Sequence, residues 1–405
     1  MPLDRGLPYP CRRLVEITKA WGGRLYLVGG MVRDWLLHNS NLVLSCDWDF
    51  AVDLRSTGRS LIQLLKQLYR ETGAKYISYP QFLTGSLYLP GLRIDISHTR
   101  DESYPCPAVL PKVKVAGIEA DLRRRDFTIN AMAIELTGSH GDGIIDPYGG
   151  QDDLRRRVLR VLYPESFIDD PTRIFRALRF GIRLEFEIES GTLYLLRQAV
   201  KEGYLALLTP ERVLYELRCI SKEARALKVM EAVVKEGVLA AFFHFSPPRR
   251  FLTDLKRLTQ AGIRDDPIFL YLLSILPLDN RFPITKEERQ VSEAIKTFSN
   301  LENRLRRARR RSTIYRLLKP LPLPALQLLA ILKTGPVAKK LSLFLNELTF
   351  VKPELKAGDL LLLGIRPGPQ LGKIIERVLY ARLNGRVRNK DEERALAERW
   401  LSHNV

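Results

Sequence analysis

The chain is poor in the residues that build stapled or metal-clamped folds. Only four of its 405 residues are cysteine, and Cys11, Cys46, Cys106 and Cys219 are far apart with no CxxC pair, so neither a disulfide framework nor a zinc site is indicated. The five histidines, His38, His98, His140, His244 and His403, form no His-Asp pair and no metal spacing, which argues against a metal-dependent phosphohydrolase centre. No Walker loop and no Ser-His-Asp order occurs. Long apolar runs are missing too: the most apolar, PIFLYLLSILPL at 267–278, falls short of the roughly 20 residues that cross a bilayer, and MPLDRGLPYP has no apolar signal core. These absences lead us to expect a soluble, cytoplasmic protein with reduced thiols and no membrane partner.

Negative charge is in short supply. Asp and Glu number 46 against 65 Lys and Arg, a net charge of +19. Such an excess suits a polyanion such as nucleic acid, although a membrane surface or solubility alone would also use it. With 45% hydrophobic and 27% charged residues the composition is globular, and the length suggests two to four packed units.

The first third mixes strand and helix patterns. RLYLVGG (24–30), DWDFAVD (47–53), SLYLPGLRIDIS (86–97) and FTINAMAIEL (127–136) are rich in β-branched and aromatic residues and read as strands of a sheet. LIQLLKQLYRETG (61–73) reads as a helix with Leu61, Leu64, Leu65 and Leu68 on one face and Gly73 as its stop. From about residue 166 strand signals nearly vanish and helical spacing takes over. The expected architecture is an α/β head (1–142) followed by an all-α neck (143–220), body (221–300) and basic tail (301–405), with punctuation at 146–153, 245–250, 319–326 and 364–372.

Asp47 and Asp49 flank Trp48 in a strand pattern, so their side chains share a face. Two adjacent carboxylates repel unless a cation neutralises them, and Mg²⁺ is the hard, oxygen-seeking ion that suits them. Asp95, between Ile94 and Ile96, supplies a third. Three such groups can hold two ions, one activating a hydroxyl and one clamping a triphosphate. Alone, a DxD is more often an acidic strand end. Upstream, Gly29 and Gly30 in LVGGMVRDWLL close a strand before a helix, where backbone N–H groups, the helix N-terminus and Arg33 can grip phosphate. A lone GG is more often a tight turn; followed by DxD it is far more specific.

Taken together, LVGGMVRD, DWDFAV and RRRDFTINAMAIEL (123–136) resemble the polymerase-beta nucleotidyltransferase superfamily, and within it the class II tRNA nucleotidyltransferases and bacterial poly(A) polymerases. IIDPYGGQDDL (144–154), FIDDPTRIFRALRF (167–180) and TPERVLYEL (209–217) are similar to the later motifs of that family, in order. The resemblance implies metal-binding roles for Asp47 and Asp49 and a catalytic role for Asp95. It implies ribose and triphosphate contacts for Arg124, Arg125, Asp126 and Asn130, while Arg123 fits a solvated face. The template motif, EDxxR in the family, reads Asp169, Asp170, Pro171, Thr172, Arg173 here. It implies that Asp170 and Arg173 select cytosine or adenine by their Watson–Crick edges, as a carboxylate acceptor beside a guanidinium donor can. Arg176 follows at helical spacing and can reach phosphate, whereas Arg179 is read as structural. Glu211, Arg212 and Glu216, after a Thr209-Pro210 helix start, are read as an ion-paired brace. The long connection between Asp95 and Arg123 falls where the family carries a loop needed for the terminal adenosine.

Six arginines crowd RLRRARRR (304–311), with Arg304, Arg307 and Arg311 expected on one helical face as a tRNA contact. Arg366 and Lys373, beside the Gly/Pro turn at 364–372, are further candidates for the T-arm side. The expected activity is transfer of CMP or AMP from CTP or ATP to the tRNA 3′ end with two Mg²⁺ ions, for full CCA addition or for the terminal A alone. A poly(A) polymerase and, from another class, a non-catalytic RNA-binding protein are the alternatives.

Overall fold

Alternation along the first strands decides where the carboxylates go. In a computed structural model, residues 7–38, 47–138, 143–263, 266–364 and 367–402 are described; Cys46, His140, Arg366 and His403 lie outside them. The head strands are β1 (Arg24–Val28), β2 (Asp47–Asp53), β3 (Lys75–Tyr79), β4 (Thr84–Leu89), β5 (Leu92–His98), β6 (Arg100–Ser103), β7 (Lys112–Val115), β8 (Ala133–Glu135) and β9 (Ile144–Ile145). Seven of them form one mixed sheet in the order β3-β4-β5-β2-β1-β8-β9, and β6 pairs with β7 as a separate hairpin.

Helices α1 (Tyr9–Ala20), α2 (Gly30–Leu37) and α3 (Leu61–Thr72) cover one face. There Leu25 and Leu27 of β1, Trp48, Phe50 and Val52 of β2, and Ile94 and Ile96 of β5 form a core with Leu64, Leu65 and Leu68 of α3. Each large apolar side chain so buried contributes about 2 kcal/mol. Because β2 and β5 run parallel with Trp48 opposite Ile94 and Phe50 opposite Ile96, the same register sets Asp49 opposite Asp95 on the other face. A one-residue slip would bury both carboxylates and expose the aromatics, so the core fixes the position of the acids. The α3 expectation is met: Ser60 and Gln63 close a capping box, and Gly73 ends the helix in the left-handed conformation.

Two expectations change. FTINAMAIEL is not one strand: Thr128–Asn130 is a 3₁₀ turn and only Ala133–Glu135 pairs with β1. The turn carries Asn130 inward, where its amide donates to Asp126. The long connection after Asp95 is not an irregular loop either, since the β6–β7 hairpin and helix α4 (Ile118–Arg123) occupy most of it.

Helices follow as α5 (Gly150–Arg156), α6 (Ser166–Asp169), α7 (Thr172–Leu184), α8 (Ser190–Lys201), α9 (Pro210–Ser221), α10 (Ala226–Lys235) and α11 (Val238–Phe243), with a short parallel strand pair, β10 (Val158–Leu159) and β11 (Glu187–Ile188), between them. Gly150 opens α5 where a Cβ would overlap the Thr128 carbonyl oxygen, so only glycine fits. The chain divides into two compact units, residues 1–246 and 247–405. The division falls at the Pro-Pro punctuation, inside the span expected as a single body.

The second unit is helical: α12 (Phe251–Gln260), α13 (Pro267–Ile275), α14 (Lys286–Arg307), α15 (Arg311–Leu318), α16 (Leu323–Leu332), α17 (Gly335–Asn346), α18 (Ala357–Leu362), α19 (Pro369–Leu383) and α20 (Lys390–Ser402). Its larger core joins Phe298 and Leu305 of α14 to Leu326, Leu341 and Leu379. Among the described residues no helix is long and apolar enough to cross a membrane. The arginine run is not one helical face, because α14 stops at Arg307, Ala308 is extended and Arg311 begins α15. Lys340 donates to the Leu305 and Arg306 carbonyls at that stop. Arg304 and Arg307 remain exposed on α14, while Arg311 pairs with Glu347. Residues 247–405 hold 31 Lys and Arg against 16 Asp and Glu, so +15 of the +19 resides in this unit.

Candidate active site

The open face of the sheet borders a cleft of about 410 Å³ in the first unit. Its walls include Gly29, Gly30, Arg33, Asp49, Arg124, Arg125, Asp126, Asn130, Asp170, Arg173 and Arg176. These residues come from the β1–α2 turn, β2, the stretch after α4 and the start of α7, so folding gathers positions up to 147 residues apart in sequence, from Gly29 to Arg176. A second cavity, of about 380 Å³, lies beside it and shares Asp49, Arg124 and Arg125; Asp95 and Arg93 line this one.

Gly29 sits at φ +68°, and a Cβ there would meet Arg125 Nη1 at 2.8 Å. Glycine therefore serves twice, by its backbone conformation and by letting the guanidinium lie across the turn. Arg125 keeps donor capacity uncommitted. Its Nη2 donates to Asp121 at 2.9 Å, but its Nε is buried and has no hydrogen-bond partner among the described residues. Such an orphaned cationic donor is costly unless a ligand accepts from it. Arg124 is more committed, donating from Nε and Nη2 to Asp121 and from Nη1 to Glu102. Arg33, expected at phosphate, is 3% exposed and donates to Asn130 Oδ1 at 2.7 Å and to Asp34. Arg123 is exposed and pairs with Asp101.

Asp126 is saturated. Its Oδ1 accepts from the Phe127 N–H and from Asn130 Nδ2, both at 2.9 Å, and its Oδ2 accepts Arg176 Nε at 2.9 Å and Nη2 at 2.6 Å. Burial alone would raise this carboxyl, yet Arg176 and the Asn130 bond overcome it and depress the pKa to about 2.

The three acids differ in setting. Asp47 and Asp49 are reached by solvent on either side of buried Trp48. The Asp49 carboxyl is raised, first by enclosure among protein atoms and then by Asp95 and Asp47, with Arg125 opposing. Asp95 is held by Ser86 and by Arg93, whose Nη2 lies 2.9 Å from Oδ2. Among the described residues no three His, Cys, Asp or Glu side chains are close enough to hold a metal ion. The Asp47–Asp49 pair nevertheless fits Mg²⁺, which takes one or two carboxylates and completes its shell with water and substrate phosphate.

At the template segment Asp170 lies before α7. Its Oδ1 accepts from the Thr172 N–H at 2.9 Å, from Thr172 Oγ1 and from Arg212 Nη2. Arg212 also donates to the Ala108 carbonyl of the hairpin at 2.6 Å. Arg179 lies 3.6 Å from Glu216 and 3.5 Å from Glu223. Glu211 is in the first turn of α9, and Thr209 occupies the cap position without a side-chain bond.

Sequence reasoning missed Asp121, Glu102, Tyr104 and Tyr163. Asp121 is fully buried and anchors Arg124 and Arg125. Its helical spacing of three and four residues from the arginines was a usable signal. Glu102 and Tyr104 are brought in by the hairpin, and no local pattern marks them.

A mixed sheet with a glycine turn, an alternate acid pair and an arginine wall defines the class as a polymerase-beta-like nucleotidyltransferase fold. Residues 25–160 match the family described as the poly A polymerase head domain. The chain is 35% identical over 376 residues to the A-adding tRNA nucleotidyltransferase of Aquifex aeolicus, covering 88% of this chain and 44% of that protein. A CCA-adding enzyme solved in an apo form is 30% identical, with TM-score 0.77 and coverage of 99% of this chain and 97% of that one. The Thermotoga maritima CCA-adding enzyme solved in complex with tRNA is 28% identical, with TM-score 0.73 and coverage of 98% and 96%. The chain belongs to the tRNA nucleotidyltransferase and poly(A) polymerase family. It spans about half the length of the first curated relatives it matches.

Proposed function

We propose that the protein transfers AMP, and in a full CCA-adding form CMP as well, from ATP or CTP to the 3′ end of tRNA in the cytoplasm. The tRNA 3′-oxygen attacks the α-phosphorus, the bond to the β-phosphate oxygen breaks, and pyrophosphate leaves. Asp47 and Asp49 would hold Mg²⁺, which when bound makes the attacking hydroxyl more acidic and offsets triphosphate charge. Arg125, with its unsatisfied Nε, takes phosphate oxygens across the Gly29 turn. Asp126 reaches the ribose hydroxyl as Arg176 moves from its Oδ2 toward phosphate.

The observation that carries base choice is the donor count at Asp170 and Arg173. Arg173 Nη1 donates to Ser166 Oγ and Tyr163 Oη and Nη2 to the Arg124 carbonyl, which leaves one Nη2 proton and the Nε–H. Asp170 Oδ1 is occupied, which leaves Oδ2 as the acceptor. An acceptor beside a two-donor edge matches the amine and ring nitrogen of adenine or cytosine and mismatches guanine and uracil. The exposed arginines Arg304 and Arg307 of the +15 unit suit a phosphate backbone, whereas Arg311, paired with Glu347, contributes less.

The names of the relatives support tRNA as substrate. The test offers purified protein with labelled CTP or ATP and tRNAs ending before the first C, after the first and after the second. AMP added only to the last defines terminal A addition, and CMP added to the first defines CCA addition. A long homopolymeric tail on any RNA would overturn the proposal in favour of a poly(A) polymerase.

A further inference from the structure

Arg173 is 4% exposed, and its orientation is set by the groups behind it. Ser166 Oγ accepts from Nη1 at 2.6 Å and Tyr163 Oη accepts from the same nitrogen at 3.1 Å. The Tyr163 hydroxyl in turn donates to Asp169 Oδ2 at 2.9 Å, and its ring centroid lies 5.7 Å from the guanidinium carbon. The direction of this chain is fixed by chemistry: a guanidinium only donates and an ionised carboxylate only accepts, so the phenol must accept from one and donate to the other. Burial pushes the Tyr163 phenol up to about 12, which keeps the linking proton in place at neutral pH.

We propose that Tyr163, anchored by Asp169, is a positioning residue for base selection. Its hydroxyl ties Nη1 down and so turns the Nε–Nη2 edge of Arg173 toward the cleft. This rests on Asp170 and Arg173 reading the base. The link touches neither the acid pair nor Arg125, so its loss is felt in which nucleotide is chosen more than in how fast the correct one reacts.

The experiment compares the full chain with Tyr163→Phe, Asp169→Ala, the double variant and Arg173→Ala. Each is assayed for kcat/KM with ATP, CTP, UTP and GTP on tRNA lacking its terminal nucleotides, alongside a melting curve. Tyr163→Phe keeps the ring and removes only the hydroxyl. It should lower discrimination against UTP and GTP about tenfold or more, the scale of one hydrogen bond to a charged group. Asp169→Ala should do the same, and the double variant should be no worse than either single one, because both break one relay. Unchanged discrimination in Tyr163→Phe, a uniform loss with all four nucleotides, or additive losses in the double variant would overturn the relay. If Arg173→Ala loses discrimination while Tyr163→Phe keeps it, only the relay fails. If Arg173→Ala keeps it, the base-reading assignment fails and the relay with it.

Discussion

Asp126→Asn tests the electrostatics of the cleft against a number. An amide can still accept from the Phe127 N–H and Asn130 through its oxygen, but it turns an N–H toward Arg176, which now donates from two nitrogens to Asp126 Oδ2. Depression of the Asp126 carboxyl from 3.8 to about 2 corresponds to about 2.5 kcal/mol in favour of the charged form. For a unit of this size that is roughly 5–10 °C in melting temperature. The folded-state pKa is the lower one, so this stabilisation is complete above the unfolded value near 4 and is lost as pH falls toward 2. Wild type and Asp126→Asn should therefore differ by a constant margin from pH 8 to 5, and the margin should shrink to about half near pH 3. Urea unfolding across that range reads it. A margin below about 0.5 kcal/mol at pH 7.5, or one that widens on acidification, would refute the claim that the ion pair outweighs burial.

Gly29→Ala forces a Cβ to 2.8 Å from Arg125 Nη1 at a backbone angle of +68°, so kcat/KM for the nucleotide should fall at least tenfold. Activity within twofold of wild type would show that Arg125 does not work from that position. Asp121→Asn should raise the nucleotide KM severalfold, because Arg124 and Arg125 lose the buried carboxylate that gathers them; an unchanged KM counts against that anchoring role. Replacing both Arg304 and Arg307 with Ala should weaken tRNA binding and reduce its salt dependence by up to about two counterions, leaving the nucleotide KM alone. An equal loss at low and high salt would remove these residues from the RNA surface.

What could be read from the sequence was what local pattern encodes. Strand alternation placed Asp47 and Asp49 on one face because Trp48, Phe50, Ile94 and Ile96 needed the other. The leucine face and glycine stop of the helix at 61–72 were equally plain. Most of the motif residues could also be named and line one cavity, although Asp95 lines the neighbouring one and Asp47 is among the lining residues of neither. What could not be read were partners set by tertiary approach. Nothing near Arg173 announces Tyr163 or Ser166, nothing near Arg124 announces Glu102, and two of the four bonds to Asp126 come from a helix 50 residues away. The arginine run misled because regular spacing was extended through Ala308, where the helix ends. The continuous strand expected at 127–136 misled for a similar reason, since the inward turn of Asn130 toward Asp126 interrupts it.

In the proposed function Asp47 and Asp49 carry nucleotidyl transfer to tRNA. Asp47→Ala combined with Asp49→Ala leaves Trp48 and Phe50 of the core in place and removes the carboxylate repulsion that raises Asp49, so the fold should survive with its melting temperature intact or raised. Labelled ATP and tRNA lacking its terminal A then give the direct measurement. AMP incorporation should fall at least a thousandfold while the variant still binds tRNA. Incorporation within tenfold of wild type by a folded variant would contradict it.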